Sequence, residues 1–170
     1  VLSLYAFSSD NWQRPPEEVR ALMGLAARFL REQAARAASS GVRLDVIGRR
    51  DRLPTAVRHA VAFAERATES GRRLRVRVAL DYSARDAILR AARRMPAGLA
   101  TRESFAALLA SVDHGAPVPP VDLFIRTGGE RRLSDFLLWE SAYAELHFVD
   151  LPWPEFGAVD LADAVAWYRG

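Results

Sequence analysis

Cysteine is absent from the 170 residues, and so is lysine: all 24 basic side chains are arginine. The first absence excludes disulfides, zinc-thiolate centres and thiol nucleophiles. The second removes Schiff-base chemistry and any phosphate-loop lysine. Histidine is scarce, and His59, His114 and His147 stand apart with no metal-ligand spacing among them. No apolar run approaches the ~20 residues of a membrane span. The opening VLSLYAF has neither the basic lead nor the small-residue cleavage site of a secretory signal, so a cytoplasmic location is the expectation. Net charge is only +3. The arginines alternate with carboxylates along helical stretches, and no aromatics interleave with a basic face, so nucleic acid is not an expected partner. What remains is the chemistry of carboxylates, hydroxyls, amides and arginines. Such a set suits anion binding and oxygen-ligated Mg²⁺ better than zinc.

Half the chain is hydrophobic and a quarter charged, the balance of a soluble globular protein. The length suits one domain spanning 1–170. Val1 to Phe7 reads as a buried strand, followed by the polar turn SSDNWQR. Pro15 and Pro16 stand at a helix start, and the spacing of Val19, Leu22, Met23, Ala26, Phe29 and Leu30 predicts a long amphipathic helix over 17–39. Strand 42–48 and helix 53–68 follow. In 74–80, Leu74, Val76, Val78 and Leu80 alternate with Arg75 and Arg77, which predicts a strand with one wet face toward a sheet edge. Helices 83–95 and 102–111, a proline-rich loop 115–120, strand 121–125, helix 135–144, strand 146–148 and a final helix from Asp160 complete the pass. Strands alternating with helices indicate an α/β domain with a mostly parallel central sheet flanked by helices. Ligands bind such sheets at the C-terminal ends of the strands. Three polar clusters fall there: 8–14, 81–85 and 126–134.

The stretch VDLFIRTGGERRLSDFLLWESAYAE, 121–145, is the most informative. An apolar run ends in Arg126, Gly128 and Gly129 allow a tight turn, Arg131 and Arg132 follow, and Ser134 and Asp135 open a helix-like segment. A helix N-terminus with clustered guanidinium groups would hold a phosphate or diphosphate; an ordinary solvated turn is the alternative. Glu145 closes that segment, ~16 Å from Ser134 if the helix is continuous, so it would meet the site only through a neighbouring strand or subunit. In the earlier turn, Ser8, Ser9, Asp10 and Asn11 read first as caps and turn formers, with ligand contact as the alternative. Trp12 there must either pack on something or cover a ligand.

LYAFSSDNWQRP, IGRRDRLP, RTGGERRLSDFLLWESAYAEL and DLPWPEF together resemble the signatures of the cis-prenyltransferases, the undecaprenyl diphosphate synthase family, in that family's order. The likeness runs from Leu4 to about Phe156. It implies head-to-tail condensation of isopentenyl diphosphate onto an allylic diphosphate such as farnesyl diphosphate, with Mg²⁺ assisting the leaving group. The product would be a polyprenyl diphosphate, a lipid carrier for cell-wall synthesis. On this likeness Arg126, Arg132 and Ser134 hold the isopentenyl diphosphate and Glu145 helps place Mg²⁺. Ser8, Asn11 and Arg14 orient the reacting groups, and Trp12 contacts substrate from a mobile flap. The long first helix would wall a tunnel for the growing chain, with Ala6 and Leu74 lining it. A homodimer, and peripheral membrane association through the lipid product, are further implications.

The sequence also departs from the pattern. The family's aspartate followed by Gly-Asn-Gly-Arg, its main catalytic and Mg²⁺-associated motif, is not among the 170 residues. The arginine-rich C-terminal tail is short, and the usual Asn-Tyr-Gly-Gly-Arg is Asp81-Tyr82-Ser83-Ala84-Arg85. The resemblance therefore implies a domain whose first strand and phosphate loop are missing, incomplete at the N-terminus and slightly at the C-terminus, with poor turnover by itself. Two other readings stay open: a non-catalytic partner subunit of such an enzyme, and an unrelated phosphate-binding module.

Overall fold

Three apolar runs build the first sheet: β1 (Leu2–Ser8), β2 (Val42–Ile47) and β3 (Leu74–Tyr82) pair in parallel in the spatial order β1-β3-β2. The computed structural model describes residues 1–98 and 101–170, which divide into two units, Val1–Val118 and Pro119–Gly170. The first unit holds this sheet with α1 (Pro16–Ser39), α2 (Thr55–Ala67), α3 (Ala84–Ala92) and α4 (Arg102–Val112). The second holds the parallel pair β4 (Leu123–Arg126) and β5 (Glu145–Phe148), then α5 (Ala158–Arg169). This is the expected α/β class. Among the described residues no helix is long and apolar enough to cross a membrane.

The apolar stripe of α1 (Val19, Met23, Ala27, Leu30, Ala34) joins that of α2 (Val57, Ala60, Val61, Ala64). Both meet Leu44, Val46, Leu80 and Phe7 of the sheet in one core. Each large side chain so buried contributes about 1.5–3 kcal/mol. β2 is an edge strand, and α2 closes that edge with side chains. The Leu44 N–H donates to Thr68 Oγ1 (3.0 Å) and the Val46 N–H to Glu65 Oε1 (3.0 Å). Backbone donors that would otherwise face an empty edge are thus satisfied. After β2 the chain turns at Gly48, with φ +116°; a Cβ there would lie 2.2 Å from the Leu80 carbonyl oxygen, so only glycine fits.

Two expectations need correction. β3 does not lie toward an edge; it is the central strand, and Arg77 on its supposedly wet face is only 3 % exposed. Asp45 is the reason. It stands beside Arg77 in the ladder, accepts from Arg43 Nε at 3.1 Å and pairs with Arg75. Alternating arginines thus face a buried carboxylate on the next strand rather than water. The second correction concerns 135–144, which forms turns and no helix. Ser134, Asp135 and Leu137 have φ of 49°, 62° and 47°, in the left-handed region, and three such residues cannot sit in an α-helix. Each costs roughly 1–2 kcal/mol in a non-glycine residue. Burial of Phe136, which packs edge-on against Phe124 (5.9 Å), and of Leu137 offsets a similar amount.

Candidate functional site

The C-terminal edge of the first sheet carries two of the three polar clusters. β1 ends at Ser8 opposite Tyr82, and a short 3₁₀ turn, Ser9–Gln13, follows. The Asn11 side chain folds back to accept the Ser8 N–H through Oδ1 at 2.9 Å, which fixes the turn and leaves the Nδ2 amide without a partner among the described residues. Trp12 packs its ring edge-on against Phe7 (5.3 Å), and the Arg52 guanidinium lies 5.7 Å from its ring centre. Its indole N–H is buried and unpaired among the described residues. Arg14 is exposed and pairs with Glu18 in the first turn of α1.

Asp81 lies at the centre of this edge, fully buried with φ 54°. It accepts from Ser9 Oγ (3.3 Å) and takes both ends of the Arg52 fork, one bond being Arg52 Nε to Oδ2 at 3.0 Å. Arg52 Nη2 also reaches Ser9 Oγ at 3.2 Å. Sequence reasoning named neither Arg52 nor Asp81 as a site residue. The usable signal was that Asp81 stands at the C-terminal end of β3 and Arg52 in the loop after β2, on one sheet edge. Farther along, a hollow of about 670 Å³ is lined by five arginines with Asp51, Asp86, Leu89 and His114. Most of these arginines are already engaged: Arg49 with Asp51, Arg50 with Glu65, Arg90 with Asp113. The Arg49 hydrogen bond holds the Asp51 carboxyl down to about 2, and burial pushes the His114 imidazole below its usual value.

The second unit positions the third cluster. β4 delivers Arg126 half-buried at its C-terminal end, with Nε buried and unpaired among the described residues. The glycine pair then turns left-handed, at φ +83° and +74°. Its N–H groups do not point at a ligand: Gly128 donates to the Leu151 carbonyl (2.9 Å) and Gly129 to that of Val149 (3.1 Å). Arg132 is exposed and pairs with Glu130 at 2.5 Å. Ser134, half-buried, opens the left-handed stretch. With no helix after it, the expected helix dipole is not available to an anion. Non-glycine residues held at positive φ, as Ser134, Asp135 and Leu137 are, are nonetheless what functional sites tend to hold.

Glu145 is the first residue of β5, not the end of a helix. It pairs with Leu123 while Arg126 pairs with Phe148, so the two backbone positions lie three ladder steps apart, ~10 Å, an odd offset that points their side chains to opposite faces of the pair. Among the described residues no group of three or more His, Cys, Asp or Glu could hold a metal ion. Glu145 is exposed and free of ion pairs among the described residues. Mg²⁺ takes oxygen ligands, commonly one or two carboxylates with substrate phosphates and water. A lone, available carboxylate fits that pattern only with a diphosphate completing the shell.

A family model described as "Putative undecaprenyl diphosphate synthase" matches residues 1–170. Isoprenyl transferase 1 of Bradyrhizobium diazoefficiens is 56 % identical over 171 residues, covering all of this chain and 68 % of that protein. Among solved structures, lavandulyl diphosphate synthase from Lavandula x intermedia, in complex with dimethylallyl diphosphate, superposes with a TM-score of 0.92 at 30 % identity. That match covers 99 % of this chain and 75 % of the other. A probable undecaprenyl diphosphate synthase from Campylobacter jejuni gives 0.88 at 33 % identity, covering 99 % and 79 %.

Proposed function

The chain belongs to the undecaprenyl diphosphate synthase family of isoprenyl transferases, and from that membership we propose that it condenses isopentenyl diphosphate onto an allylic diphosphate. The two units are taken as parts of one prenyltransferase domain. In the reaction the allylic C–O bond breaks and diphosphate leaves with the electron pair. The terminal alkene carbon of isopentenyl diphosphate then bonds to the allylic cation, and loss of a proton from the adduct gives the new cis double bond.

Arg126, Arg132 and Ser134 grip the isopentenyl diphosphate, the guanidinium groups as charge-assisted donors to its oxygens. Ser8, Asn11 and Arg14 orient the reacting groups, and Trp12 covers them. Arg14 would have to leave Glu18 to do so. Glu145 is the carboxylate assigned to Mg²⁺, which when bound neutralises diphosphate charge. The observation that carries this reading is the buried Arg126 Nε, unpaired among the described residues, at a strand end, on the segment that runs through the glycine pair to the left-handed Ser134–Leu137 turn. An orphaned buried guanidinium N–H is costly unless an anion meets it.

An apolar margin in the first unit supports the prenyl part. Trp12, Leu22, Ala26, Val78, Val76, Val42 and Ala37 are only partly buried against the core. They follow β3 and α1 from the Asp81 edge toward the opposite end, a wall for a hydrocarbon chain. On this reading the product is a polyprenyl diphosphate that serves as a lipid carrier for cell-wall synthesis. Exposed Tyr143, Trp153 and Val159 in the second unit suit a homodimer interface.

Calorimetric titration tests the grip. Isopentenyl diphosphate binds at least tenfold more tightly than inorganic phosphate, and Arg126→Ala weakens it by about 10–100-fold, the loss of a charged hydrogen bond. Equal affinity for both anions, or no effect of Arg126→Ala, would overturn the proposal.

A further inference from the structure

No part of the proposed chemistry falls to the hollow on the first unit. Its walls are the loop 49–51 after β2, the first turn of α2 at Arg58, and one face of α3, where Asp86, Leu89, Arg90 and Arg93 recur at steps of three and four. Its volume of about 670 Å³ falls within the ~300–1,000 Å³ of small-molecule sites.

The cations of the lining are of two kinds. Arg49, Arg50 and Arg90 are held by Asp51, Glu65 and Asp113. Arg58 and Arg93, on different walls, are exposed and form no ion pair among the described residues. Arg58 is nevertheless fixed in place. Its Nη1 donates to the Leu53 carbonyl and its Nη2 to Thr55 Oγ1, both at 3.1 Å, with Nε–H unspent among the described residues. Arg50 and Arg90 each add a buried Nε–H that meets no acceptor among the described residues. Donors therefore outnumber acceptors around the hollow. Charge leans the same way: five guanidiniums stand against Asp51 and Asp86 in the lining and Glu65 and Asp113 outside it, which leaves one positive charge over. Burial keeps the His114 imidazole neutral and out of that balance.

We propose that this hollow is a separate binding site for a compound carrying a diphosphate group, gripped by Arg58 and Arg93. Orthophosphate fills a small part of such a volume, whereas a diphosphate gives each free guanidinium a phosphate of its own to fork. Leu89, 57 % exposed, offers an organic substituent an apolar contact. Asp86, which forms no ion pair among the described residues, opposes the anion and limits its affinity. The site is built from the first unit alone, shares no residue with the grip at 126–134, and does not rest on the prenyltransferase reading.

Inorganic diphosphate titrated into the isotope-labelled chain tests it, with orthophosphate at equal ionic strength as the control. Saturable shifts are expected at the Nε–H groups of Arg58 and Arg93, at least tenfold tighter than with orthophosphate. Arg58→Gln with Arg93→Gln weakens this binding about 10–100-fold, the loss of charged hydrogen bonds. Asp86→Asn tightens it several-fold, a gain that a merely structural role for this cluster does not produce. All three side chains are exposed, so the fold survives their replacement. Shifts no tighter than those with orthophosphate, indifference to the arginine pair, or failure of Asp86→Asn to tighten binding would overturn the site. Adenosine diphosphate separates the two sources of the group: tighter binding than inorganic diphosphate assigns the site to an organic diphosphate that uses Leu89, and equal or weaker binding assigns it to the inorganic ion. Isopentenyl diphosphate separates this claim from the proposed function. Diphosphate shifts in the hollow with 126–134 silent toward isopentenyl diphosphate uphold this site and reject that function; the reverse pattern rejects this site alone.

Discussion

Asp81 shows how much a single position can organise. A carboxylate with no solvent exposure survives only with full pairing, and Arg52 supplies a two-pronged partner whose other contacts are Ser9 and the face of Trp12. The left-handed φ of 54° is one that aspartate and asparagine tolerate better than most residues. Arg52→Met should therefore destabilise by about 3 kcal/mol, the low end for breaking a buried pair because Arg52 is a third exposed. Asp81→Asn keeps the backbone angle and a hydrogen-bonding side chain, and should cost only ~1 kcal/mol. Urea midpoints compared at constant slope measure both; identical midpoints for the two variants would show that the pair does not hold this edge.

At the scale of elements, sequence patterns served where one rule decided the outcome. The helical stripe of α1 and the βαβ rhythm put helices and parallel strands within a few residues of their observed bounds. They failed where tertiary partners overrode local pattern. The alternation of Leu74 to Leu80 predicted water beside Arg75 and Arg77; only the register with β2 reveals Asp45 there. The segment 135–144 is rich in helix formers, yet burial of Phe136 and Leu137 holds it in left-handed turns. That Arg126 ends a strand was legible from the apolar run before it, but Glu145 was misplaced because its position followed from that helix. The β2 edge was invisible too, since nothing in Thr68 or Glu65 announces that each accepts a strand N–H. Thr68→Val, nearly the same volume, leaves the Leu44 N–H orphaned in the interior. It should cost about 1–3 kcal/mol and speed hydrogen exchange at Leu44. Unchanged stability and exchange would mean that the edge is closed by something other than α2.

For the whole molecule, the account joins an anion grip on the second unit, a hydrogen-bonded polar edge on the first, and an apolar margin running from that edge along β3 and α1. On the proposed function each part would answer to a different demand of one chemistry: binding diphosphate, orienting reacting carbons, and accommodating a chain that water rejects. Family membership supplies the reaction class, and the division of labour among the side chains is what we propose. Amide and arginine Nε–H shifts, followed as isopentenyl diphosphate is titrated into the isotope-labelled chain, test the grip most directly. The account predicts saturable shifts centred on Arg126, Arg132 and Ser134, with Arg126 Nε–H among the largest. Shifts confined instead to the hollow around Arg49, Arg58 and Arg93, with the 126–134 segment silent, would contradict it.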